Sequence, residues 1–467
     1  MFPAKDSCIW SPCQTSGPWC FKRRSNSTTS RVDCHPDTNA NKFSCERRGC
    51  IWKSTTEPRA PFCYFDSENF AGYDVTFVSS DVGYLRADLK RRSTPTIFGN
   101  SFGSASLEVF YETETQLRFV ISRKRGYENP AILNWKNTVP KQTTLLKSTS
   151  YANYRVNLQK SPFGIQIVRK RTGVVIFDTT NVPGLTLEEQ FLSITNKVPT
   201  TQIYGFGEQT HTSLRHDFNW KTYSMFARDQ PVSTGSNLYG VHPFYMGIES
   251  DGSSHGVAFI NSNAQNVQLA PHPSITYRTI GGNLEFRIFT GPTPDSVVQQ
   301  YTKTIGLPMM PPYWALGFHL CKFGYKDINE IKLVAERNLN ASIPLDTQWI
   351  DIDYMDGFKD FTYDKSNFIG LPEFSNWLHS NNKKFGTILD PCIPNPHSEY
   401  YSSNYSTYAR GMKHDVFIKD KTGQFMEGSV WPGKCYYPDF TKPNTTEWWT
   451  KEIYKWHNTV NVDGLWI

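Results

Sequence analysis

The sequence predicts a multidomain protein: a small disulfide-rich head, a large antiparallel β-sandwich, and then roughly the first half of a (β/α)8 barrel. Three observations predict this order. Seven of the ten cysteines fall within the first 63 residues. From about Ala71 to Pro308 the chain is a succession of short β-type runs separated by turn residues. Beyond Pro311-Pro312, strand and helix patterns alternate.

A chain of 467 residues exceeds one ordinary domain, so about two to four domains are expected. A hydrophobic fraction of 38% with mixed charge fits a folded chain. The net charge of +6 is spread out, and the runs Lys22-Arg23-Arg24 and Lys90-Arg91-Arg92 read as solvated surface. Nucleic acid and acidic membrane surfaces are therefore not indicated as partners. The longest apolar tract, Ile305 to Leu320, is interrupted by Pro308, Pro311 and Pro312 and falls short of the ~20 residues of a membrane span. Met1 to Asp6 leads into no apolar core of a signal peptide. Membrane association would then need a segment outside these residues.

Clustered cysteines in a short Pro- and aromatic-bearing head read as a disulfide scaffold made in an oxidising compartment. Zinc ligation does not fit, because no C-x2-C pair occurs and the one local histidine, His35, adjoins Cys34. No metal or cofactor is expected. Four N-x-S/T sequons, at Asn26, Asn340, Asn404 and Asn444, add weight to a secretory route as glycosylation candidates.

The sandwich rests on runs such as Leu107 to Tyr111, Leu117 to Ile121, Gly164 to Val168 and Gly173 to Phe177, with no long helical period among them. In the third part, Tyr313 to Leu320 reads as a first strand. Asp327 and Glu330 read as a capping box opening a helix with Ile328, Ile331, Val334 and Ala335 on one face. A second strand, Thr347 to Tyr354, precedes a helix with Phe374, Trp377 and Leu378 at i, i+3, i+4. A third strand, Phe385 to Leu389, leads into a long loop, about Cys392 to Asn444. A helix with Trp449, Ile453, Trp456 and Val460 on one stripe then delivers a fourth strand, Val462 to Ile467. Alternation of this kind makes parallel strands with right-handed crossovers. Pro311 to Ile467 supplies somewhat more than half of the ~250 residues a barrel needs. A doubly wound sheet is the alternative, but no Gly-rich phosphate turn follows any strand.

Active sites of parallel barrels gather at the carboxyl ends of the strands. Here those ends carry His319 to Phe323, Asp351-Ile352-Asp353, Asp390, and Trp466-Ile467. Carboxylates that accept hydroxyl hydrogen bonds, beside aromatic faces that stack on C–H surfaces, suit a sugar. A single strand-end Asp is as readily a cap or turn residue; the group in register is what points to a ligand.

Two resemblances follow from these residues. The run Asp33-Cys34-His35-Pro36, Cys45-Glu46-Arg47-Arg48-Gly49-Cys50-Ile51-Trp52 and Pro61-Phe62-Cys63-Tyr64 resembles a trefoil (P-type) domain, taken as residues 31–68. That family carries six cysteines. The resemblance implies bridges Cys34–Cys50 and Cys45–Cys63, with Ile51 at the fifth cysteine position and the remaining bridge missing in both halves. Cys8-Ile9-Trp10 and Gly17 to Phe21 are similar to the tail of another trefoil, so residues 1–30 are expected to be a partial remnant. Downstream, Tyr313 to His319, Trp349 to Met355, Val430-Trp431-Pro432-Gly433, Tyr204 to Glu208 and Ala227-Arg228-Asp229 resemble glycoside hydrolase family 31.

This second resemblance implies a β-sandwich over 69–310, an incomplete TIM barrel over 311–467, and a retaining α-glucosidase acting without metal on α-linked glucose oligosaccharides in the secretory pathway. Its substrate-binding positions map onto Asp351, Ile352, Ile388, Asp390, Trp431 and Trp466, with Arg228 and Asp229 contributed by a sandwich loop. Phe323 stands where relatives often carry Tyr. Core packing is the alternative role for Ile352 and Ile388, and structural bonding for Asp353. The family's nucleophile is expected at the position after Ile467 and its acid/base later still, which leaves no catalytic carboxylate assigned within the chain and implies an inactive piece. The alternative function is a non-catalytic, lectin-like trefoil and sandwich protein.

Overall fold

The computed structural model describes residues 8–10, 20–22, 28–92, 99–123 and 145–467. Cys13 and the Asn26 sequon lie outside them, as does most of the expected remnant at 1–30. Of that remnant, Cys8–Trp10 and Cys20–Lys22 pair as a short antiparallel ladder. Two compact units, Met1–Leu307 and Pro308–Ile467, make up the fold.

In the first unit the head carries the helix Lys42–Arg47. Asn41 caps it by accepting the Ser44 N–H, and the Ser44 hydroxyl accepts the Asn41 N–H in return. Strands Ile51–Trp52 and Cys63–Tyr64 pair antiparallel. Bridges Cys34–Cys50 and Cys45–Cys63 join these pieces, and all four half-cystines are buried. Each closes a loop whose restriction in the unfolded chain is worth about 3 kcal/mol. Arg31 completes the head by donating to the carbonyls of Lys53 and Pro61 while lying over the Tyr64 ring.

Two eight-stranded antiparallel sheets follow, one ending in Tyr73–Asp81 and the other in Tyr154–Lys160. Phe119, Phe259 and Phe286 from one sheet meet Phe177 and Tyr277 from the other, with ring centroids about 5 Å apart, and every one of these rings is fully buried. Unlike the helix-free stretch predicted from sequence, the sandwich ends in a helix, Pro294–Ile305. Thr293 caps it, Pro294 occupies its first turn, and Tyr301 stacks on Phe244 at 4.1 Å.

The second unit holds four parallel strands in sequence order: Phe318–Leu320, Leu345–Ile350, Lys384–Ile388 and Gly464–Trp466. Helices Ile328–Asn340, Leu371–Ser380 and Pro443–Val460 connect them. Ile331, Ala335, Phe374, Leu378, Trp456 and Val460 pack against Ile350 and Phe385 as one core. Three local expectations are corrected here. Tyr313–Leu316 is a 3-10 turn rather than strand, because Pro312 enters it and Gly317 closes it onto the Trp314 carbonyl. Asp327 caps its helix, accepting from Asn329 and Glu330 N–H, but Glu330 reaches past the cap to the Lys326 N–H and Lys322. The stretch 392–444 is not a bare loop: it contains the helix Ser406–Lys413 and a three-stranded sheet.

Candidate functional site

The site grows from strand register in the second unit. Trp349, Gly386 and Gly464 are partners on adjacent strands. The Trp349 indole lies across both glycines: a methyl at Gly386 would overlap its ring, and one at Gly464 would stand 3.2 Å from it. Trp349 Nε1 donates to His319 Nδ1 at 2.9 Å, so that nitrogen is unprotonated and His319 Nε2–H faces the Trp314 carbonyl at 3.3 Å. The three rings form a stack, and this stack is the floor.

Two residues further along the strands, Ile388 and Trp466 are partners at the next level, on the side that carries Gly386 and Gly464, and Asp351 follows directly on Ile350, the last residue of the second strand. Ile350 and Thr387, between the levels, point instead to the helices; Thr387 accepts the Trp456 indole N–H at 3.0 Å. Asp351 turns the chain by accepting the Ile352 N–H at 2.7 Å and caps the 3-10 turn Ile352–Tyr354. That bond occupies one carboxylate oxygen of a half-buried group. Ile352 and Ile388 are buried in the core of the unit, and the Ile388 carbonyl accepts the Tyr354 hydroxyl at 2.8 Å.

Asp353 holds the neighbouring wall. Its carboxylate accepts the Gly324 N–H at 2.8 Å and fixes the loop that displays Phe323. Burial raises the Asp353 pKa, and the nearby Asp351 charge raises it further. Phe323, Trp431 and Trp466 are 67%, 53% and 46% exposed, which makes them display surfaces rather than core. Trp431 sits at the tip of the hairpin Glu427–Val430 and Gly433–Tyr436, with Gly433 in the left-handed region at φ 74°. Its neighbour Ile393–Pro394 follows directly from the end of the third strand.

Sequence reasoning missed two supports. Asp360 is 1% exposed, and its carboxylate accepts the Asp390 N–H at 3.1 Å. Burial pushes the Asp360 carboxyl well above the usual range, and the Asp390 charge adds to the shift. Nothing in the local sequence marks this Asp as buried. The bridge Cys392–Cys435, with Cα atoms 5.7 Å apart, ties the Trp431 hairpin to the chain just beyond Asp390. Two scattered cysteines 43 residues apart gave no signal of pairing.

Arg228 and Asp229 belong to the first unit, on an exposed loop after the strand Lys221–Met225. There the Arg228 N–H donates to the Leu238 carbonyl, and the Tyr239 hydroxyl donates to Asp229. The sequons at Asn340, Asn404 and Asn444 are all exposed. Cys321, at the end of the first strand, is an exposed thiol.

Comparison with known proteins fixes the lineage. Residues 308–467 match the glycosyl hydrolase family 31 TIM-barrel domain, residues 106–267 the family 31 N-terminal galactose mutarotase-like domain, and residues 25–66 the trefoil (P-type) domain. The chain belongs to glycoside hydrolase family 31.

Human intestinal sucrase-isomaltase is 41% identical over 442 residues, which is 94% of this chain and 24% of the relative. Mouse lysosomal alpha-glucosidase is 38% identical over 446 residues, 94% of this chain and 45% of the relative. The chain thus spans less than half the length of these two family 31 relatives. Among solved structures, glucosidase II alpha subunit aligns with a TM-score of 0.69 at 20% identity, over 81% of this chain and 49% of that one. A family 31 dextranase from Flavobacterium johnsoniae, solved with isomaltotriose, aligns with a TM-score of 0.68 at 20% identity over 85% and 48%. These structural matches bear on the fold alone.

Proposed function

We propose that the barrel mouth is the glucose-recognising wall of a retaining α-glucosidase that removes terminal α-linked glucose from oligosaccharides in the secretory pathway. The observation that carries the reading is the gathering of Asp351, at the carboxyl end of the second strand, with the Ile388–Trp466 pair at the ends of the third and fourth, beside the Trp349–His319 floor. Asp351 accepts hydroxyl hydrogen bonds of the terminal sugar with its second oxygen, and Ile352 and Ile388 close the pocket wall. Trp466 and Trp431 cover the apolar face of the ring, and Phe323 extends the aromatic platform to the next sugar. Asp390 shapes the pocket from the third strand.

Bond cleavage by a retaining glycosidase needs two carboxyl groups about 5–5.5 Å apart, one as nucleophile and one as acid/base. The reading assigns recognition to the residues above and assigns neither of these carboxyl groups.

Calorimetric titration with maltose tests this. D351N is expected to weaken binding by about 2 kcal/mol, the loss of a charge-assisted hydrogen bond. Unchanged maltose affinity in D351N overturns the assignment.

A further inference from the structure

We infer that the Cys392–Cys435 bridge positions Trp431 for sugar binding, so that sugar affinity at this mouth depends on the oxidation state of that one bridge. The inference rests on the proposed role of Trp431 as a sugar platform. The base of the hairpin carrying Trp431 is packed: Tyr436 lies among Tyr408, Phe417 and Phe425, and Cys435 and Tyr436 pair with Pro394 and Ile393. Its outer strand is not: Met426, Val430 and Trp431 are each more than 40% exposed, and the strand Glu427–Val430 is an edge. Packing therefore does little to hold the tip.

Its polar ties are also weak. Glu427 accepts from His397 Nδ1 at 2.7 Å, from Asn395 Nδ2 at 2.9 Å and from Lys434 Nζ at 3.0 Å. His397 and Lys434 are largely exposed, and exposed pairs of this kind contribute little. The Asn395 N–H donates to the Lys434 carbonyl, and the Ser398 hydroxyl donates to that of Pro432. Every one of these contacts reaches residues 395–398 or stays within the hairpin. None of them reaches the third strand itself.

The bridge adds a covalent tie nearer to that strand, between the Ile393–Pro394 ladder and Asp390. Cys392 lies two residues past Asp390, and both sulfur-bearing residues are buried, at 3% and 0% exposure. It closes a 43-residue span containing the helix Ser406–Lys413. Opening it removes the covalent tie and loosens the hairpin tip, while the parallel sheet, whose strands pair directly with one another, stays in place. Reduction takes two electrons and two protons from a dithiol, which becomes a disulfide, and leaves Cys392 and Cys435 as thiols.

A double-mutant cycle on the full 467-residue chain tests this, with maltose as the probe. The variants are C392A/C435V, which removes the bridge while filling its buried volume, W431A, and the combination. Removing the bridge is expected to weaken maltose binding about tenfold when Trp431 is present and less than about twofold when it is Ala. Amide exchange in residues 427–436 should accelerate at least about tenfold, while residues 384–388 keep their protection. An equal loss of affinity in both backgrounds overturns the inference, as does unchanged exchange in the hairpin. Were wild-type chain not to bind maltose, the α-glucoside reading itself would fail. Exchange would then decide alone whether the bridge holds the hairpin.

Discussion

Gly386→Ala is the most searching perturbation of the site floor. Gly386 lies in a central strand between Trp349 and Gly464, so its backbone is pinned on both sides. An added methyl overlaps the Trp349 benzo ring, and Gly464 beneath the same ring leaves no room for retreat. The indole must rotate, which breaks its 2.9 Å bond to His319 and the stack at 6.1 Å between the two rings. Overpacking costs about 1–3 kcal/mol, and the lost hydrogen bond about 1 kcal/mol. Replacing a strand glycine returns about 0.5–1 kcal/mol. The net is a loss of about 1–3.5 kcal/mol, read by urea unfolding followed through tryptophan fluorescence. In a Trp349→Ala background the clash disappears, and Gly386→Ala should be neutral or slightly stabilising. An equal cost in both backgrounds would refute the ring-over-glycine account.

Two further outcomes concern charge. Asp360→Asn should raise stability at pH 7 by about 1 kcal/mol or more, since it removes a buried carboxyl but keeps the acceptor for the Asp390 N–H. The wild-type carboxyl is raised in the fold, so its penalty holds above the ordinary value of 3.8 and shrinks as pH falls; the variants should converge toward pH 4 in acid-dependent unfolding. Glu427 moves the other way. His397, Asn395 and Lys434 depress its pKa from 4.5 to about 2, so its contribution is complete above 4.5 and fades as pH drops toward 2. Amide exchange of residues 427–436 should accelerate by no more than about fivefold across that window in wild type, the most that exposed pairs contribute, and Glu427→Gln should flatten the profile.

Periodicity was enough to expose the large architecture. The helix faces of Ile331, Ala335, Phe374, Leu378 and Trp456 are core, because a 3.6-residue stripe has one way to be buried against a sheet. It was not enough at Tyr313–Leu316, where an apolar run serves a 3-10 turn as well as a strand, and the choice falls to Pro312 and Gly317. The helix Pro294–Ile305 was hidden by its polar composition, with Val297 its one buried residue. Motif resemblance pointed to Asp351, Trp431 and Trp466 as sugar contacts. What holds them was invisible. Asp360 acts through a fold-dependent contact with Asp390, and Cys392 meets Cys435 only once the hairpin has folded back. The glycine pair under Trp349 left a faint trace: Gly386 and Gly464 both sit inside strands that otherwise favour bulky residues.

A crystal structure of the chain soaked with maltose tests the central claim most directly. The account predicts the non-reducing glucose at the carboxyl ends of the barrel strands, its hydroxyls on the Asp351 carboxylate and its ring against Trp466 and Trp431. Maltose seated elsewhere, on the head or in the cleft between residues 356–366 and 402–410, would contradict it.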